Sequence, residues 1–251
     1  LSHNKSLDNL INYSKDLNNS FFSIFIIMNI IVLDICKKGN NCKPYHNCGG
    51  MNLIQKYQSN SIKMEFISLF PEIPIGANKE YTRNNLLKTI NNFQNIKYII
   101  IACHTASSSI LDILINNDHL INNIKIFEPI IPMCIYIKHK KYQNILILST
   151  SLTARIRWHA RILKSNVKYM TFNSLPYDID NNNINNIHNT LERLSSVKDF
   201  LSICDCVVLG CTHFNVIKDT ICKYLQKYNF SGQILDSNSI LYRHVNKHIK
   251  L

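Results

Sequence analysis

The chain has 251 residues, 46% hydrophobic and 18% charged, a composition that excludes disorder and provides for one large domain or two modest α/β lobes. Its formal charge of +12 and pI near 9.3 would suit nucleic acid, but the Lys and Asn excess is spread along the whole chain, so nucleic acid is disfavoured as a partner. Nine cysteines, an odd number, argue against a closed disulfide framework and point to a reducing, cytoplasmic setting.

In chain order, the apolar stretch from Phe21 to Leu33 is only 13 residues long and contains Asn29. It is too short to span a bilayer, and no small-residue cleavage site follows it, so no membrane role is expected. It predicts a first strand from Met28 to Leu33, closed by Asp34, behind a polar extension over 1–27. Cys36, Cys42, His46 and Cys48 invite a metal reading, but they lack the Cys-x2-Cys spacing of structural zinc sites, and no metal is expected. Further strand-like runs fall at 64–69, 97–102, 124–128, 144–148, 167–172, 206–210 and 232–235. Helix-length amphipathic segments lie between them at 79–94, 105–117, 152–164, 187–202 and 213–228. This alternation predicts an α/β fold of parallel sheets with ligands at the carboxyl edge of the strands. Glu128-Pro129 marks a crossing between two lobes. Lys138–Lys141 reads as a solvated helix end, and Asp178 and Asp180, in a loop expected to face the cleft, carry no assigned role.

Two segments share one pattern: Ile100-Ile101-Ala102-Cys103-His104-Thr105 and Val208-Leu209-Gly210-Cys211-Thr212-His213. In each, a buried strand ends at a cysteine and a Thr follows as the expected helix N-cap. A helix N-terminus favours the thiolate, so both thiols are expected to have lowered pKa values. One such cysteine is most simply a small buried hydrophobe. A second copy calls for another reason, and two thiols facing one cleft would form a matched acid–base pair.

These residues resemble the cofactor-independent glutamate racemases of the aspartate/glutamate racemase group. Ala102-Cys103-His104-Thr105-Ala106-Ser107 is similar to that family's Ala-Cys-Asn-Thr-Ala-Ser, and Gly210-Cys211-Thr212-His213-Phe214 to its Gly-Cys-Thr-His-Tyr/Phe. Pro74-Ile75-Gly76, Glu128-Pro129, Ser149-Thr150 to Thr153 and Leu235-Asp236-Ser237 continue the match in order, over roughly residues 28 to 245. Three departures stand out. His104 replaces Asn, Ile75 replaces Tyr, and an insertion from about Lys37 to Asn47 separates Asp34 from Gly49-Gly50.

The resemblance implies two pseudo-symmetric parallel-sheet α/β lobes, 28–130 plus 239–251 and 131–238, with the active site in the cleft between them. It implies Cys103 and Cys211 as the catalytic pair in a racemisation of glutamate that needs no cofactor and feeds D-glutamate to peptidoglycan. His213 would assist the second thiol, or be a helix-start histidine satisfied by backbone. Asp34 would assist the first thiol or hold the substrate ammonium, or be a loop-capping carboxylate. Ile75, Gly76, His104, Thr105 and Thr212 would bind substrate, although each Thr also fits a capping role. A homodimer is compatible with this reading. Two alternatives stand beside it: a racemase of aspartate or another amino acid, and a non-catalytic binding protein of the same fold.

Overall fold

Ile30, Ile31, Val32 and Leu33 are buried on both faces of β1 (Met28–Asp34), as a continuous β-branched and apolar run in a parallel sheet must be. The computed structural model describes residues 28–35, 50–51, 54–55, 62–69, 73 and 77–249. The extension over 1–27, the Cys36–Cys48 cluster, the insertion and Pro74-Ile75-Gly76 lie outside the described residues.

The first sheet has strand order β2-β1-β3-β5-β4. It comprises β1, β2 (Ile62–Ser68), β3 (Tyr98–Ile101), the two-residue β4 (Leu120–Ile121) and β5 (Ile124–Phe127). All pairings are parallel except β4 with β5. Helix α1 (Lys79–Asn91) connects toward β3, and α2 (His104–Asn116) follows β3. Helix α3 (Ile130–Lys140) leads to the second sheet and ends at Lys141 in the left-handed region. The Glu128 carboxylate accepts from the Ile130 and Ile131 N–H groups, so the Glu-Pro step starts that helix.

The second sheet is wholly parallel, in the order β7-β6-β8-β9: β6 (Asn144–Ser149), β7 (Asn166–Thr171), β8 (Cys206–Gly210) and β9 (Gln233–Asp236). In each sheet the first strand in sequence pairs with the second and third. β1 therefore corresponds to β6 and β3 to β8, which is the pseudo-symmetric two-sheet α/β architecture expected. One hydrophobic cluster runs through both sheets and joins Leu33, Ile101 and Ile110 to Ile145, Ile147 and Val208. Helix α10 (Ser237–Ile249) follows β9, yet Leu241, Val245 and Ile249 pack against Ile30, Val32 and Ile100 of the first sheet.

Several elements differ from the sequence expectation. The helix predicted at 152–164 is two helices, α4 (Ser151–Ile156) and α5 (Trp158–Leu163), split where Arg157 takes φ 61°. The break turns the second helix so that Trp158 Nε1 donates to Ser108 O at 2.9 Å, a contact no local pattern encodes. Asp178 and Asp180 lie in a short helix, α6 (Leu175–Asp180), rather than a loop, because Pro176 in its first turn suits a helix start. The segment predicted at 187–202 begins earlier, as α7 (Ile184–Leu191), because the Asn183 side chain caps it. It then tightens to a 3-10 turn (Glu192–Val197), where Ser196 bonds back to Arg193 O, before α8 (Lys198–Leu201). Likewise a 3-10 turn (Thr212–Ile217) precedes α9 (Lys218–Lys227). Among the described residues no helix is long and apolar enough to cross a membrane.

Candidate active site

Both cysteines stand where a central strand meets a helical turn. β3 ends at Ile101, and Ala102 N still donates to Leu33 O at 2.8 Å, so extended backbone carries on to Cys103 (φ −134°, ψ 118°). Cys211 follows β8 in the same way (φ −145°, ψ 132°). The cysteines themselves therefore occupy the N-cap positions. Thr105 and Thr212, expected as caps, lie inside the first turn, which frees their hydroxyls for contacts across the molecule.

Those hydroxyls link the two sheets reciprocally. Thr105 Oγ1 shares a 2.8 Å hydrogen bond with Thr150 Oγ1, just past the end of β6. Thr212 Oγ1 donates to Asp34 Oδ2 at 3.2 Å, at the end of β1. Each cysteine-bearing turn thus holds the carboxyl end of the other sheet's first strand. Between them opens a cavity of about 690 Å³, lined by both cysteines together with Thr105, Thr150, Asn173 and His213 among others. The two thiols are only 8% and 9% exposed, so they open onto this cavity and little else.

Asp34 is fully buried. Its carboxylate accepts from Ile35 N and Gly50 N, each at 2.8 Å, as well as from Thr212. The chain returns to Asp34 at Gly50 in spite of the insertion, and only glycine fits there. An added Cβ would stand 2.9 Å from the Phe66 ring and 3.0 Å from Asp34 Cβ. Burial raises the Asp34 pKa, against the opposing charge of His213 and the bonds from Gly50, Thr212 and Ile35.

The Cys103 thiol is pushed up, not down as the helix N-terminus suggested. Burial dominates, and the charges of Asp34 and Cys211 add to it. The N–H groups of Ala106 and Ile35 act in the other direction and do not prevail.

At the second cysteine, His213 Nδ1 lies 3.8 Å from Cys211 Sγ. Its Nε2 lies 3.5 Å from Asp180 Oδ1, an ion pair rather than an aligned hydrogen bond. Burial alone would depress this imidazole, but Asp180 and Cys211 outweigh it and hold the pKa well above the usual histidine value. Asp180 is the residue that sequence reasoning missed. Its neighbour Asp178 accepts instead from the Asn183 and Asn186 amides. Residues two apart on a helix point different ways, so the only signal available was that one of the two would face the cleft.

His104 does not line the cavity. Its ring stacks on His159 with centroids 5.7 Å apart, and neither ring nitrogen of either residue has a hydrogen-bond partner among the described residues. Burial lowers the pKa of both, that of His159 to about 4. Ser151 adds a polar contact at the opening, donating N–H and Oγ to Asn173 Oδ1 at 2.8 and 2.7 Å. Ile75 and Gly76 lie outside the described residues. Among the described residues no group of three or more His, Cys, Asp and Glu is placed to hold a metal.

No family model matches this chain, and no curated protein matches it in sequence. Solved structures do match in fold. Glutamate racemase isoform RacE1 from Bacillus anthracis superposes with TM-score 0.71 at 17% identity, covering 90% of this chain and 82% of that one. The aspartate racemase of Picrophilus torridus gives 0.58 at 15%, covering 89% and 94%. The allantoin racemase of Klebsiella pneumoniae gives 0.60 at 11%, covering 89% and 88%. At these identities the likeness is one of fold.

Proposed function

We propose that this chain is an amino-acid racemase that inverts the α-carbon of glutamate by proton transfer between Cys103 and Cys211. The observation that carries the reading is the placement of two buried thiols at corresponding strand ends of two pseudo-symmetric sheets, both lining one cavity. The solved racemases of the same fold support it.

Inversion removes a weakly acidic α-proton from one face and returns a proton to the other. A single base reaches both faces only by a large motion, whereas two groups flanking the carbon need none. One sulfur, as thiolate, takes the α-proton while the opposite thiol gives its own to the other face. The protein ends with the same number of protons, their positions exchanged, and the roles reverse for the other enantiomer. The raised pKa of Cys103 keeps its thiol protonated. His213, charged and backed by Asp180, exchanges a proton with Cys211. Asp34 supplies negative charge beside Cys103, where a substrate ammonium would be attracted and would draw the thiol pKa back down.

Thr105 and Thr150 offer hydroxyls to the α-carboxylate. Thr212 works through Asp34, to which its hydroxyl is bound. His104 acts through its backbone, since its ring is turned to His159. Ile75 and Gly76 complete the carboxylate site on the strength of the resemblance. On this reading the lobes 28–130 plus 239–251 and 131–238 close over the substrate. The product serves peptidoglycan synthesis in a cytoplasmic setting.

The test is α-proton exchange in D2O, followed by NMR with L- and D-glutamate and both enantiomers of aspartate. Expected are exchange with both glutamate enantiomers and its loss, by at least about a thousandfold, in Cys103→Ala and in Cys211→Ala. Exchange with aspartate alone would transfer the reading to the substrate of the Picrophilus torridus protein. Absence of exchange from folded protein would leave a binding role for the fold.

A further inference from the structure

Among the described residues the cavity is lined by hydroxyls, an amide, two thiols and apolar side chains, and by no carboxylate. Two of the described lining residues can carry positive charge. One, His213, is already matched by Asp180. The other is Arg155, in the last turn of α4, whose first residues Ser151 and Leu152 also line the cavity.

The six arginines of the sequence separate cleanly. Arg83 is bonded to Asp112 and to Ser109 O. Arg157, Arg161, Arg193 and Arg243 each lie 5.2 to 5.8 Å from the centroid of an aromatic ring. Arg155 has no ion pair, hydrogen bond or ring contact with any described residue, and it is exposed where both cysteines are buried. A guanidinium keeps its charge at any working pH and presents five donors in a fork shaped for a carboxylate. Exposed at a cavity where no described lining residue is an acid, it can meet a carboxylate of a ligand bound there.

We infer that Arg155 binds the distal carboxylate of an acidic amino acid and so selects dicarboxylic over neutral substrates. The inference rests on the racemase reading for the reaction but not for the binding. An arginine that pairs with a carboxylate contributes a charge-assisted, two-point contact, partly screened where water reaches it. On that reading the reacting carbon lies between the sulfurs, and the distal carboxylate takes no part in the proton transfer. The contact is therefore made equally in the bound ground state and the transition state, and it acts on KM rather than kcat.

The experiment compares wild type with Arg155→Gln and Arg155→Lys in two arms. In the first, α-proton exchange is measured on glutamate and on glutamine, its neutral isostere. In the second, binding of glutarate, a dicarboxylate with no α-amino group, is measured by calorimetry at low salt. Expected for Arg155→Gln are a roughly tenfold rise in KM for glutamate with kcat nearly unchanged, no change for glutamine, and a similar loss of glutarate affinity, with Arg155→Lys in between. Unchanged glutamate KM and glutarate affinity in Arg155→Gln would overturn the role of Arg155 while leaving the racemase reading intact. If wild type exchanges no amino acid, the racemase reading fails and the glutarate arm decides alone. A tenfold loss in the variant then upholds Arg155 as a dicarboxylate anchor, and equal or absent binding in both proteins overturns it.

Discussion

At His213, burial works against a charged imidazole, yet Asp180 on one ring nitrogen and Cys211 on the other keep its pKa high. A raised pKa contributes stability that is fully present below the ordinary value of 6.5 and is lost as pH rises through the higher folded value. Asp180→Asn leaves burial as the main influence, so the folded pKa drops. The variant should then fall behind wild type in stability as pH falls through the raised wild-type pKa, and the gap should widen further below 6.5. His104 and His159, both depressed, weaken the two proteins alike on the acid side, so the difference between them is the readout. Melting temperatures from about pH 8 to about pH 4 check this, and a constant difference would mean that Asp180 does not hold the charge. The two cysteines, His213 and Asp34 were legible at this scale because strand ends and short motifs are local. Asp180 was not, because its partner lies 33 positions away in sequence, and the two short helical turns that carry them meet only in the packed second lobe.

The elements that position the thiols depend on close backbone approach. Gly210, the last residue of β8, sits so tightly that an added Cβ would stand 2.9 Å from both Ile147 Cγ2 and the Leu148 carbonyl oxygen. The side chain can rotate aside, but a strand carbonyl moves only with the strand. Gly210→Ala should therefore cost about 1–3 kcal/mol, measured by urea unfolding. It should also slow exchange, because Cys211 is the next residue. A variant with wild-type stability would show that β6 and β8 can separate without penalty. The strands themselves were readable from apolar runs, since strands buried on both faces carry an unbroken hydrophobic signal. The helices were read less well. The split at Arg157 comes from a non-glycine residue with positive φ, which propensity disfavours and tertiary contacts sustain.

For the molecule as a whole, the main hydrophobic cluster joins residues of both sheets, and α10 leaves the second sheet to pack on the first. One face of each sheet is buried in that shared cluster, while the other face of the second sheet is covered by a separate cluster around Leu146, Leu148, Val207 and Leu209. Calorimetry should accordingly record a single cooperative unfolding transition, with van't Hoff and calorimetric enthalpies equal. Two resolved transitions would show that the shared cluster does not couple the unfolding of the two sheets. Trp158 and the Thr105–Thr150 and Thr212–Asp34 pairs cross between the sheets at the same seam, so cavity-lining residues and structural contacts share one surface.

By itself the sequence determined the alternation of strands and helices, the carboxyl-edge location of both cysteines and the pairing of two like motifs, because each is written in a few consecutive residues. The tertiary structure alone decided the rest. It turned the His104 ring to His159, brought Asp180 to His213, raised the Cys103 pKa where a helix N-terminus was expected to lower it, and set Arg155 on the cavity with no acid among the described lining residues. Each of these outcomes depends on burial and on charges distant in sequence, and desolvation in a packed interior outweighs the local dipole that short-range patterns reveal.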